Sequence, residues 1–170
     1  MTDVVTLAAR APDADAFAPF GAFLEPPAEI GGRAMFSDWL EPVEGRAQHY
    51  HLNKAPTTSL PVVVERVECH PHAAQLFLPV GVARYLVTVM PSGEVGAPDP
   101  TRALAFVVPG TMGVAYHPGT WHAGISVLDG GASFAVMMWR GGDDDDDVFA
   151  SITPTEVRAA DSSVGSGERG

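Results

Sequence analysis

An all-β jelly-roll barrel with a short N-terminal helix is the fold class this sequence predicts, and three observations predict it. Short β-branched or apolar runs recur along the chain, at Leu60–Val67, Leu86–Val89, Ala103–Val108 and Phe134–Trp139. Between them stand 18 Gly and 15 Pro, residues that suit turns and break helix interiors. A helical period is almost absent. Many short strands punctuated by turn signals argue for a sandwich or barrel.

Taken in order, Val4–Leu7 reads as a short strand. Asp13 precedes Ala14-Asp15-Ala16-Phe17, and an Asp ahead of apolar residues accepts the free N–H groups of a first helical turn. Phe20-Gly21 ends that helix, Ala22–Leu24 starts a strand, and Pro26–Gly32 is a loop. Trp39–Gln48 is expected to pass over the barrel mouth. Regular alternation over Leu60–His72 would set Val62, Val64, Arg66, Glu68, His70 and His72 on one face, with Val63, Glu65, Val67 and Cys69 on the other.

Ala83–Met90 and Ala103–Val108 are nearly apolar strands, Val114–Tyr116 leads into a histidine-bearing turn, and Ile125–Leu128 leaves it. Asp129-Gly130-Gly131 is a hairpin signal, and Ser133–Arg140 is the last strong strand. Asp143–Asp147 is a run of like charges and is expected to be a solvated loop. Residues 1–160 are expected to form one domain, and 161–170, rich in Gly and Ser, a disordered tail.

The formal charge of -11 and a pI near 4.7 leave no basic stripe to neutralise phosphates, which argues against nucleic acid. A single cysteine, Cys69, excludes an intrachain disulfide and reads as core. Neither a basic start with a long apolar run nor a membrane-length apolar stretch is present, so a cytoplasmic protein with no membrane partner is expected.

Four of the six histidines lie in two segments, His70-Pro71-His72 and Tyr116-His117-Pro118-Gly119-Thr120-Trp121-His122. Two such turns between consecutive strands would bring imidazoles together inside a small barrel. His49 and His51 are expected to be surface residues, and Trp121 a packing residue. The two segments resemble the paired metal signatures of the cupins, H-x-H-x3,4-E and a later G-x5-P-x-G-x2-H. Here His70-Pro71-His72 supplies H-x-H, Gln75 stands near the Glu, and Gly113 to His122 approximates the second half. The fold expected is therefore a cupin-like double-stranded β-helix. Its candidate metal ligands are His70, His72, Gln75 and His122, for Ni²⁺, Zn²⁺ or Mn²⁺.

Read with their flanks, these segments are more specific. Ala16–Gly21, then L-P-V-V-V-E-R-V-E-C-H-P-H-A-A-Q-L-F-L-P from Leu60, Arg102-Ala103, G-V-A-Y-H-P-G-T-W-H from Gly113, and Arg140-Gly141-Gly142 resemble the ureidoglycolate lyase family in order and spacing. The resemblance runs from residue 16 to about 152. It departs where the family has Asn before the Tyr (Ala115), His-Pro after W-H (Ala123-Gly124), Asp before Arg-Gly-Gly (Trp139) and Arg at Lys54. It implies a homodimer that cleaves ureidoglycolate to glyoxylate and urea in allantoin degradation.

Ureidoglycolate is a hemiaminal, so one base on its C2 hydroxyl and one acid on the departing nitrogen suffice to split it. Histidine suits both roles near neutral pH. The expected acid/base pair is His117 and His122, with His70 orienting or ligating. Tyr116 and Gln75 would hydrogen-bond the ureido group, and Lys54, Arg66 or Arg140 would hold the carboxylate. The alternatives are a cupin enzyme acting on another small hydroxy- or oxo-acid, or a non-catalytic small-ligand or metal-binding cupin.

Overall fold

A computed structural model describes residues 4–142 and 146–160. The tail from residue 161 and Asp143–Asp145 of the acidic run lie outside the described residues. The elements are β1 (Val5–Arg10), α1 (Ala14–Phe17), β2 (Gly21–Leu24), β3 (Ala47–Ala55), β4 (Val62–Cys69), β5 (Gln75–Val80), β6 (Arg84–Met90), β7 (Leu104–Pro109), β8 (Gly113–Tyr116), β9 (Trp121–His122), β10 (Ser126–Val127), β11 (Ala132–Arg140) and β12 (Val148–Ala159). No helix among the described residues is long and apolar enough to cross a membrane.

A seven-stranded sheet runs β10-β6-β7-β1-β12-β4-β9, and β9 also pairs with β6, which closes it into a ring. A five-stranded sheet, β2-β8-β5-β11-β3, packs against it. The all-β, cupin-like jelly roll expected from the sequence is the fold observed. Phe77, Val114, Phe134 and Val136 from the smaller sheet meet Tyr85, Val87, Val89 and Phe106 from the larger. Leu86, Ala105, Ala9 and Val157 form a separate core on the other face of the larger sheet. Strands β6 and β7 are therefore covered on both faces, which explains why they read as continuous apolar runs rather than as alternations.

Asp13 caps α1 by accepting from the Ala16 amide at 3.0 Å, a contact worth about 1 kcal/mol. The helix drives Phe17 into a cluster with Phe20, Phe23, Phe106 and Tyr116. Gly21 follows because β2 runs tight against β8: a Cβ there would lie 1.8 Å from the Ala115 carbonyl oxygen.

Two local expectations fail. Alternation along β4 slips at Glu65 and Arg66, which are both exposed; Val67 and Cys69 are then buried in the same cluster that Val64 touches. The slip lies where the β12 register shifts between Ser151 and Thr155, so Val64 and Arg66 do not share one regular face. The second failure is β12 itself, a twelve-residue strand that the sequence reading left out. Pro154 argues against a strand, yet it falls inside that register shift, where the ladder is interrupted in any case.

Candidate active site

Two rows of side chains face each other at one end of the barrel. In the larger sheet, cross-strand pairing sets Val89, His122, Glu68 and Phe149 side by side. In the smaller sheet it sets Tyr116, Gln75, Met138 and His49 side by side. Directly paired residues project to the same face. The rows meet where Tyr116 stacks on His122, ring centroids 4.2 Å apart. His70, just past β4, brings its ring to 5.4 Å from that of His122.

Both imidazoles are held by backbone carbonyls. His122 Nδ1 lies 2.9 Å from the Thr120 carbonyl oxygen, and His70 Nδ1 lies 2.9 Å from that of Asp146. A carbonyl only accepts, so each Nδ1 carries a proton and Nε2 is the atom left to gain or give one. Neither Nε2 has a hydrogen-bond partner, and the same holds for the buried Gln75 Oε1 and Tyr116 hydroxyl. Glu68 Oε1 stands 3.4 Å from His122 Nε2, close enough for an ion pair but too long for a strong hydrogen bond. One ligand atom each from Glu68, His70 and His122 lies within 4.8 Å of the others. Buried polar atoms in native proteins are normally satisfied, and these atoms are placed where one small ligand would satisfy them together.

Electrostatics follow from the burial. The contact with His122 holds the Glu68 carboxyl below its usual value, against the opposing effect of burial. Burial, and then proximity to His122, push His70 below the ordinary imidazole value. Burial raises the Tyr116 phenol well above its usual value, so it remains a hydrogen-bond donor.

The structure brings His70, Gln75, Tyr116 and His122 together as the sequence suggested, with Arg140 at the rim, its Nη1 3.4 Å from Met138 Sδ. It does not bring His117, His72 or Lys54 to them. Tyr116 faces the core, so its neighbour His117 faces out, exposed, with its ring 4.8 Å from Trp39. His72, also exposed, lines with His117, Asp38, Trp39 and Glu41 an outer cavity of about 470 Å³. Lys54 pairs with Ser133, five residues along β3 from His49 and on the opposite face. Arg66 lies over the Phe149 ring at 4.1 Å and shares with Glu68 and Gly124 a small cavity of about 180 Å³.

Glu68 was missed as a site residue, and a signal for it was present. Shifted two residues earlier, the H-x-H-x4-E frame reads Glu68-Cys69-His70 followed by Gln75. The acidic run was also misread in part: Asp146 is 5% exposed, ion-paired with Arg46, and accepts from the Gly141 amide at 2.6 Å. A cavity of about 720 Å³ lies elsewhere, lined by Phe23, Pro26, Phe36, Leu78 and Pro79, and holds none of the cluster.

The family model described as ureidoglycolate lyase matches residues 4–158. A relative from Agrobacterium fabrum is 31% identical over 158 residues, covering 92% of this chain and 97% of its own. A ureidoglycolate lyase of Burkholderia mallei is 34% identical over 137 residues, 75% of this chain and 78% of its own. Among solved structures, a dTDP-4-dehydrorhamnose 3,5-epimerase from Elizabethkingia anophelis NUHP1 aligns with a TM-score of 0.40 at 10% identity, covering 59% of this chain and 53% of that one. The chain belongs to the ureidoglycolate lyase family.

Proposed function

We propose that the chain cleaves ureidoglycolate to glyoxylate and urea, as a cytoplasmic homodimer serving allantoin degradation. The observation that carries this reading is the pair of partnerless Nε2 atoms that converge beside Glu68. His70, kept neutral by burial, takes the proton of the C2 hydroxyl on Nε2. As the carbonyl forms, the C2–N bond breaks and its electron pair stays on the urea nitrogen. In the reacting form a second proton sits on His122 Nε2, opposite the Glu68 carboxylate, and passes to that nitrogen; His70 gains one proton and His122 loses one, so the transfers balance. Positioned proton transfer of this kind typically contributes about 10²–10⁴-fold. The Tyr116 hydroxyl donates to the ureido carbonyl, Gln75 Oε1 accepts from a ureido N–H, and Arg140 holds the carboxylate. For the dimer, β3 offers an edge strand with Tyr50 and Leu52 60% and 70% exposed.

The same atoms fit a divalent ion. Glu68, His70 and His122, with Gln75 Oε1 as a fourth donor, would hold it, because the Nδ1 contacts already aim both Nε2 atoms inward. Ni²⁺, Zn²⁺ or Mn²⁺ there would supply Lewis-acid polarisation of the substrate hydroxyl.

The test is incubation of purified protein with ureidoglycolate and separate measurement of glyoxylate, urea and ammonia. Equimolar glyoxylate and urea are expected. Ammonia in place of urea would mean hydrolysis, and turnover only of other hydroxy- or oxo-acids would overturn the substrate assignment.

A further inference from the structure

The cluster is held from behind by two consecutive residues that the chemistry above does not use. Asp146 offers its backbone carbonyl to His70 Nδ1 at 2.9 Å. Its side chain is pinned by the ion pair with Arg46 and by the Gly141 amide, which fixes where that carbonyl points. Asp147 places Oδ1 at 2.9 Å from the same nitrogen. That oxygen lies off the N–H axis and has no hydrogen-bond donor of its own, so it acts on His70 through charge while the carbonyl takes the proton. The other carboxylate oxygen of Asp147 takes Arg140 Nη2.

We propose that Asp146 and Asp147 are positioning residues of this site: Asp146 holds His70 with its Nε2 turned toward Glu68 and His122, and Asp147 sets Arg140 beside it. A His whose Nδ1 proton is directed to a fixed acceptor keeps one tautomer and one ring orientation. An Arg held by a carboxylate keeps its planar fork ready for a second carboxylate. The two residues thus divide the work, one serving the proton-transfer group and the other the substrate anchor. The assignment rests on the function proposed above, since it names His70 as base and Arg140 as anchor.

The division is testable on the full chain with Asp146→Ala, Asp147→Ala and Asp147→Glu. Asp146→Ala is expected to lower kcat on ureidoglycolate by about 10–100-fold, the usual loss for a supporting shell, with KM within about threefold. Asp147→Ala is expected to raise KM more than it lowers kcat, and Asp147→Glu to recover most of that KM. ¹⁵N NMR of the His70 ring gives a readout independent of turnover: the Nδ1–H tautomer of the wild type should be lost in Asp146→Ala. The proposal is overturned if His70 keeps that tautomer in Asp146→Ala, or if kcat and KM move in parallel with melting temperature in all three variants. Should the wild type not turn over ureidoglycolate, the functional reading fails, and the tautomer measurement still decides the role of Asp146.

Discussion

Tyr116 lies flat on His122, the ring planes 15° apart, and its hydroxyl is buried without a hydrogen-bond partner. The stacking fixes the imidazole plane while Thr120 fixes its proton. Tyr116→Phe keeps the stack and removes only the donor. It is expected to lower kcat on ureidoglycolate roughly tenfold or more while leaving the melting temperature unchanged or raised by up to about 12 °C, since an unsatisfied buried hydroxyl costs about 1–3 kcal/mol. Kinetics beside thermal melts check both halves, and a large fall in melting temperature would show that the hydroxyl is satisfied in solution.

His117 and His122 sit five residues apart in sequence and on opposite sides of the barrel wall, one exposed and one fully buried. His122→Ala should reduce kcat by at least about a hundredfold. His117→Ala should leave kcat within about threefold of wild type, and His49→Ala likewise. Steady-state assays of the three variants separate this arrangement from one in which the outer His72 and His117 cavity does the chemistry.

Acid should destabilise the fold through His70 before Glu68. The lowered value of His70 means that the unfolded chain binds more protons as pH falls below the ordinary imidazole value of about 6.5. Its contribution is therefore complete above that pH and is lost as pH falls toward the folded value. Glu68, also lowered, loses its contribution at lower pH still, beginning near its ordinary 4.5. The melting temperature should be flat above about pH 7 and fall below about pH 6.5, and His70→Asn should flatten the upper part of that fall. An identical profile in His70→Asn would contradict the assignment.

Isothermal titration of chelator-treated protein with Ni²⁺, Zn²⁺ or Mn²⁺ is expected to show one ion bound per chain. Two partnerless Nε2 atoms and a carboxylate within 4.8 Å favour it. Glu68→Gln together with His70→Asn should abolish binding, whereas His72→Asn should not alter it. Binding that survives the first pair and disappears in the second would move the ion to the outer cavity.

Much of the framework was legible because local chemistry and tertiary role coincide. The Asp13 cap and the apolar runs of β6 and β7 are such cases, and so is Gln75, whose register partners are Tyr116 and Met138. What escaped depends on partners far away in sequence. A carboxylate at Glu68 reads as facing water until His122 is known to pair with it across β4 and β9. Asp146 and Asp147 read as mutually repelling until Arg46 and Arg140 are seen to neutralise them. His117 looked equivalent to His122 because both belong to one turn, but β8 points Tyr116 inward and so leaves His117 outside.

That His70 and His122 act as one proton-transfer unit is tested most directly by a double-substitution cycle on kcat, using His70→Asn, His122→Asn and the pair. Each single change should cost about 10²–10⁴-fold, and the pair should fall no more than about tenfold below the worse single, as for groups that work together. Losses that add fully in log rate, or wild-type turnover in His70→Asn, would contradict it.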